Sequence, residues 1–120
     1  VDFDGVLHSY ASGWKGAANI PDPPFPGAMD FLREMTQHFR TDIFSSRSNM
    51  EGGIPAMIGW IERNALLEHG AGGIGWVSQL VYPTVKPPAR VSLDDRAITF
   101  TGRWPTVAEL RDFKPWYMKG

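Results

Sequence analysis

Val1-Asp2-Phe3-Asp4-Gly5-Val6-Leu7 places two carboxylates one residue apart at the end of a β-like apolar segment, with glycine directly after them. A strand alternates its side chains, so Asp2 and Asp4 are expected on one face. Two carboxylates crowded together repel unless a cation sits between them or one holds a proton. Gly5 lets the chain turn sharply where a Cβ would obstruct it. The stretch therefore reads as a strand that ends in a metal or catalytic site.

Downstream, residues 8–26 are rich in Gly and Pro and follow neither the helical nor the strand period. They read as a long ordered loop or small flap, and loops of this length in compact domains are often functional lids. From Gly27 the pattern changes to Ala28, Phe31, Leu32, Met35 and Phe39, the stripe of an amphipathic helix. Pro26 suits its first turn. Thr41-Asp42-Ile43-Phe44 then reads as a strand that delivers the polar loop Ser45-Ser46-Arg47-Ser48.

A second helix is expected over residues 55–68, with Ile54, Met57, Ile58, Ile61, Ala65 and Leu66 on one side, Pro55 in the first turn and Gly70 as the stop. Residues 76–82 fit a short helix or a strand. Residues 89–93 read as a strand running into Asp94-Asp95, and Ile98-Thr99-Phe100-Thr101 as one more. Thr106 with Glu109 forms a capping-box pattern opening a last helix that continues to about Phe113.

The 120 residues suffice for one domain with a real core, spanning 1–120, with 8–26 as a flap. Apolar residues make up 42% and charged residues 21%, a globular composition that excludes disorder. The absence of cysteine excludes disulfides, zinc–thiolate sites and thiol catalysis. No apolar run reaches a membrane span and no signal-peptide pattern is visible, so a cytoplasmic protein with no membrane partner is expected. Val1 is not an initiator methionine, and residues upstream of it are expected. The net charge of −1 divides unevenly: residues 1–85 carry five Lys/Arg against nine Asp/Glu, residues 86–120 seven against four. That split is weak support for an anionic substrate and does not demand a nucleic-acid groove.

Strands alternating with helices imply an α/β fold with a central parallel sheet, and ligands of such sheets bind beyond the carboxyl ends of the strands. Asp2/Asp4, Ser45/Ser46 and Asp94/Asp95 are expected on that rim, with Lys86 beside them. Four carboxylates there suit a hard cation with oxygen ligands, Mg²⁺ above all. A serine hydroxyl and a lysine ammonium opposite it would hold phosphate oxygens. The reaction that uses all these parts is phosphoryl transfer through an aspartyl-phosphate.

In this order the residues resemble the haloacid dehalogenase-like hydrolase superfamily, small-cap phage and bacterial members in particular. Asp2-Phe3-Asp4-Gly5-Val6 is similar to its first motif, Ile43-Phe44-Ser45 to the second, Lys86 to the third and Leu93-Asp94-Asp95 to the fourth. The resemblance implies a three-layer Rossmann-like core with a short flap in place of a full cap. It also implies Mg²⁺-dependent phosphomonoester hydrolysis. Asp2 would be the nucleophile and a metal ligand. Asp4 would be the general acid/base and would offer its main-chain carbonyl to the metal. Ser45 and Lys86 would bind the phosphoryl group, Ser46 contributing a backbone N–H, and Asp94 with Asp95 would complete the metal shell.

His8, Trp14 and Arg47 are candidate substrate contacts, Trp14 because an aromatic ring in the flap suits stacking on a base or sugar. The other tryptophans read as packing residues. A phosphorylated small molecule or a nucleic-acid end is the expected partner, and a homodimer could cover so open a site. Three alternatives stand beside the hydrolase: a phosphotransferase, a receiver-like module, and a non-catalytic phosphate-binding protein. In receivers the phosphorylated aspartate lies between the acidic pair and the Ser/Thr, an order this chain does not share.

Overall fold

The computed structural model describes residues 1–85, 93–94, 98–99 and 102–112. Helix α1 spans Ala28–His38 and buries Ala28, Met29, Phe31, Leu32 and Met35, the face set by the apolar stripe. Its N-cap is Gly27 at φ 86°, so Pro26 precedes the helix instead of opening it. That φ favours glycine, and a Cβ there would also come tight against the Trp104 indole nitrogen, at 3.0 Å.

Helix α2 spans Gly53–His69 and ends on Gly70 at φ 73°. It buries Met57, Trp60, Ile61 and Ala65, whereas Leu66 is 48% exposed. The apolar face is thus rotated towards Trp60 and away from Leu66. Helix α3, Val107–Asp112, is capped by Thr106, whose Oγ1 accepts from the Glu109 N–H at 3.1 Å. Short 3-10 turns occupy Ser46–Asn49, Ala71–Gly73 and Gly75–Gln79. Among the described residues no helix is long and apolar enough to cross a membrane.

The expected three-layer Rossmann-like core is not what these residues form. The described part is helical and has no central parallel sheet. The two strands, β1 at Leu93–Asp94 and β2 at Ile98–Thr99, pair with each other in parallel and, among the described residues, with no other strand. Elsewhere among the described residues the extended segments pair through isolated bridges, Asp2 with Phe44 and Asp42 with Val81 in parallel, with Asp4–His8 and His8–Pro24 closing the turn after Phe3. A ladder needs successive paired residues, and here the chain leaves the extended path at once. The Phe3 carbonyl accepts from the N–H groups of Val6, Leu7 and His8, closing a turn. Ser45 likewise caps a 3-10 turn one residue after Phe44. Short apolar runs that read as strands are therefore single extended contacts.

Phe3, Leu7 and Ile43 from those segments are fully buried, in one cluster with Met29, Leu32, Met57 and Ile61 of α1 and α2. Phe3 and Ile43 thus anchor in the core the two segments that carry Asp2/Asp4 and Ser45. Expected elements over residues 86–92, 95–97 and 100–101, including Lys86, lie outside the described residues, as does Phe113.

Candidate functional site

The turn after Phe3 determines where Asp4 goes. Gly5 sits at φ 80° with no atom within 4 Å of a built Cβ, so backbone conformation and not space requires glycine here. Its N–H donates to the His8 carbonyl at 2.8 Å, folding the chain back so that His8 lies beside Asp4. His8 Nδ1 is 2.8 Å from Asp4 Oδ1. On the other side of the ring, the main-chain N–H of Asp22 donates to Nε2 at 3.2 Å. A backbone N–H can only donate, so Nε2 accepts and the ring proton resides on Nδ1, pointing at Asp4. The ring is fully buried, stacked on Phe3 at 5.8 Å and edge-on to Trp60 at 5.7 Å.

Asp4 is gripped from the other side by Arg47, which is fully buried. Nε reaches Asp4 Oδ2 at 2.9 Å and Nη2 reaches Oδ1 at 3.1 Å. This two-pronged geometry is the strong form of an arginine–carboxylate pair. Nη1 donates to three carbonyls of the flap, Gly16, Ala17 and Asn19, at 2.8 to 3.0 Å. The guanidinium also lies over the Trp14 ring, 4.6 Å from its centroid. One side chain therefore satisfies Asp4 and fastens the flap.

Asp22 completes the anchorage. Its Oδ1 accepts from the Ser12 hydroxyl at 2.6 Å and its Oδ2 from the Ser12 N–H at 2.8 Å. The Ser12 hydroxyl first, then its N–H, hold this carboxyl below its ordinary value. The Trp60 indole donates to the Asp22 carbonyl at 3.0 Å, tying the flap to α2.

Asp2 pairs in a parallel bridge with Phe44, the residue before Ser45, and the Phe44 N–H donates to the Val1 carbonyl at 3.2 Å. Asp2 Oδ1 accepts from the Phe3 N–H at 2.8 Å. Ser45 is buried, and its Oγ accepts from the Arg47 N–H at 3.0 Å, leaving its own hydrogen available to donate. Ser46 is exposed at the first position of the same turn. Trp14 is 44% exposed in the flap. The structure thus brings Asp2, Asp4, His8, Trp14, Ser45, Ser46 and Arg47 into one connected neighbourhood. Lys86 and Asp95 lie outside the described residues, and only the backbone of Asp94 is described, in β1.

Among the described residues no group of three or more His, Cys, Asp or Glu is placed to hold a metal ion. The oxygen donors that are present suit a hard cation in type: the Asp2 carboxylate and the Asp4 carbonyl, to which none of the described residues donates a hydrogen bond. Asp22 and Ser12 were not singled out from sequence. Their signal is non-local, since Asp22 matters only once His8 and Trp60 are packed against it.

No family model, curated protein or solved structure matches the chain.

Proposed function

We propose that the chain is a Mg²⁺-dependent phosphomonoester hydrolase in which Asp2 accepts the phosphoryl group. What carries this proposal is the parallel Asp2–Phe44 bridge, which brings the segment bearing Asp2 alongside the one that ends in the capped Ser45. The order of the four motifs supports it as a likeness of residues, independent of the core architecture.

An Asp2 oxygen attacks phosphorus, the bond to the leaving oxygen breaks, and that oxygen departs with its electron pair and takes up a proton. Water then cleaves the acyl phosphate, releasing phosphate and restoring Asp2. Asp4 is the proton carrier in both halves. Among the described residues its Oδ2 accepts only from Arg47 Nε, which leaves one lone pair for the transferred proton. Arg47 and the His8 Nδ1–H hold that carboxylate in one orientation. Ser45 donates its hydroxyl to a phosphoryl oxygen, with the Ser46 N–H and Lys86 assigned to the others. Mg²⁺, when bound, neutralises charge between the carboxylates and the phosphate. Asp2 and the Asp4 carbonyl would hold it, with Asp94 and Asp95 assigned to complete the set.

The test is hydrolysis of p-nitrophenyl phosphate with and without Mg²⁺. Wild type is expected to turn over only with the cation, and Asp2→Asn to be inactive. Full activity in Asp2→Asn overturns the assignment. One observation favours a second class, a non-catalytic phosphate-binding module: Asp4 already neutralises Arg47 and receives His8. Phosphate binding without any turnover would select that reading.

A further inference from the structure

The described tryptophans differ sharply in environment. Trp60 is 2% exposed, Trp76 is 6% exposed and Trp104 is half-buried against Phe31, whereas Trp14 is 44% exposed although it belongs to the anchored part of the flap. Leaving so much of an indole in water forgoes burial energy, at about 25 cal/mol per Å² of apolar surface. The ring is nevertheless held in place. Arg47 lies against it at 4.6 Å, and Arg47 is itself fully buried, bonded to Asp4 and to the flap carbonyls of Gly16, Ala17 and Asn19 on the C-terminal side of Trp14. The chain on either side is shaped by Gly13 at φ 74° and Gly16 at φ 101°. A solvent-facing aromatic ring thus stands one guanidinium away from the acidic pair and is braced by the same residue that orients Asp4.

We propose that Trp14 is a stacking platform for the base of a nucleotide whose phosphate meets Asp2 and Ser45. This rests on the hydrolase reading for the position of the phosphate, but the stacking itself does not need turnover. The chemistry selects a base over other flat or charged groups. One face of the indole already receives a cation, and a second cation would be repelled by the first across the ring. A neutral heteroaromatic ring meets no such penalty, and base–aromatic stacking tolerates any base because each has a π face. A nucleotide also has the required form, carrying a flat ring and a phosphate on one sugar.

Adenosine 5′-monophosphate and ribose 5-phosphate differ by the base alone, so their affinities isolate the contact. Titration calorimetry on wild type, Trp14→Phe and Trp14→Ala with Mg²⁺ present measures it, with Asp2→Asn as the background wherever wild type consumes the ligand. Wild type is expected to bind the nucleotide about tenfold or more tightly than the sugar phosphate, Trp14→Phe to keep part of that preference, and Trp14→Ala to lose it. Equal affinity for the two ligands in wild type overturns the proposal. So does a preference that survives Trp14→Ala, or failure to bind either ligand. A Trp14-dependent preference in a protein that hydrolyses nothing keeps the platform and removes the hydrolase.

Discussion

Arg47 holds both oxygens of Asp4, Nε on Oδ2 at 2.9 Å and Nη2 on Oδ1 at 3.1 Å, while its third nitrogen donates to the flap. The repulsion expected of the Asp2/Asp4 pair is therefore met, on the Asp4 side, by a cation from the protein itself. That cation also makes the flap and the orientation of Asp4 one mechanical unit.

Removing one member of this pair should be expensive. Arg47→Met leaves the Asp4 carboxylate, only 16% exposed, without its main partner and frees the flap carbonyls. A loss of about 3 kcal/mol in urea unfolding is expected, in the range for broken buried ion pairs. The double variant with Asp4→Asn should recover part of it, since coupled neighbours do not add. Strict additivity of the two losses would show that the pair is not coupled.

Two glycines of α2 should respond oppositely to alanine. A Cβ on Gly53 would lie 1.9 Å from the Arg47 carbonyl oxygen, so backbone must move, and a loss of about 2 kcal/mol or more is expected. Gly59 has nothing within 4 Å of a built Cβ, and Gly59→Ala should stabilise by about 0.5 to 1 kcal/mol through helix propensity. Thermal or urea unfolding of both variants checks this. Equal effects would mean that the approach of Arg47 to α2 is misplaced.

Asp22 sets an acid limb. Its carboxyl is held below the ordinary value of 3.8 by Ser12, so the folded state binds its proton less readily than the unfolded chain. The associated stability is fully present above pH 3.8 and is lost as pH falls through the lower folded value. Ser12→Ala removes the hydroxyl bond and should flatten that part of a melting-temperature profile, with little change near neutrality beyond a constant offset. An unchanged acid limb in Ser12→Ala would contradict it.

The helices were legible because their signals are local. The stripe of Phe31, Leu32 and Met35 specified α1, Gly70 stopped α2, and Thr106 with Glu109 opened α3. The sheet was misread because an apolar run such as Ile43-Phe44 shows that a segment is extended but not that neighbours pair with it residue after residue. Asp2 meets Phe44 at one bridge before both chains turn. The Asp4–Arg47 pair was hidden for a related reason. Its partners are 43 residues apart, and no period in the sequence marks an arginine whose three nitrogens are all committed internally. The acidic pair stood out in the sequence because two carboxylates before a glycine repel unless something neutralises them, and the structure shows that on Asp4 this is Arg47.

In the proposed hydrolase, Asp2 takes the phosphoryl group. Acid quenching of wild type during turnover of p-nitrophenyl phosphate, followed by mass spectrometry of the tryptic peptide ending at Lys15, reads this directly. This peptide is expected to gain the mass of one phosphoryl group, located on Asp2 and absent in Asp2→Asn. A phosphoryl group on another residue, or turnover with this peptide never modified, would contradict it.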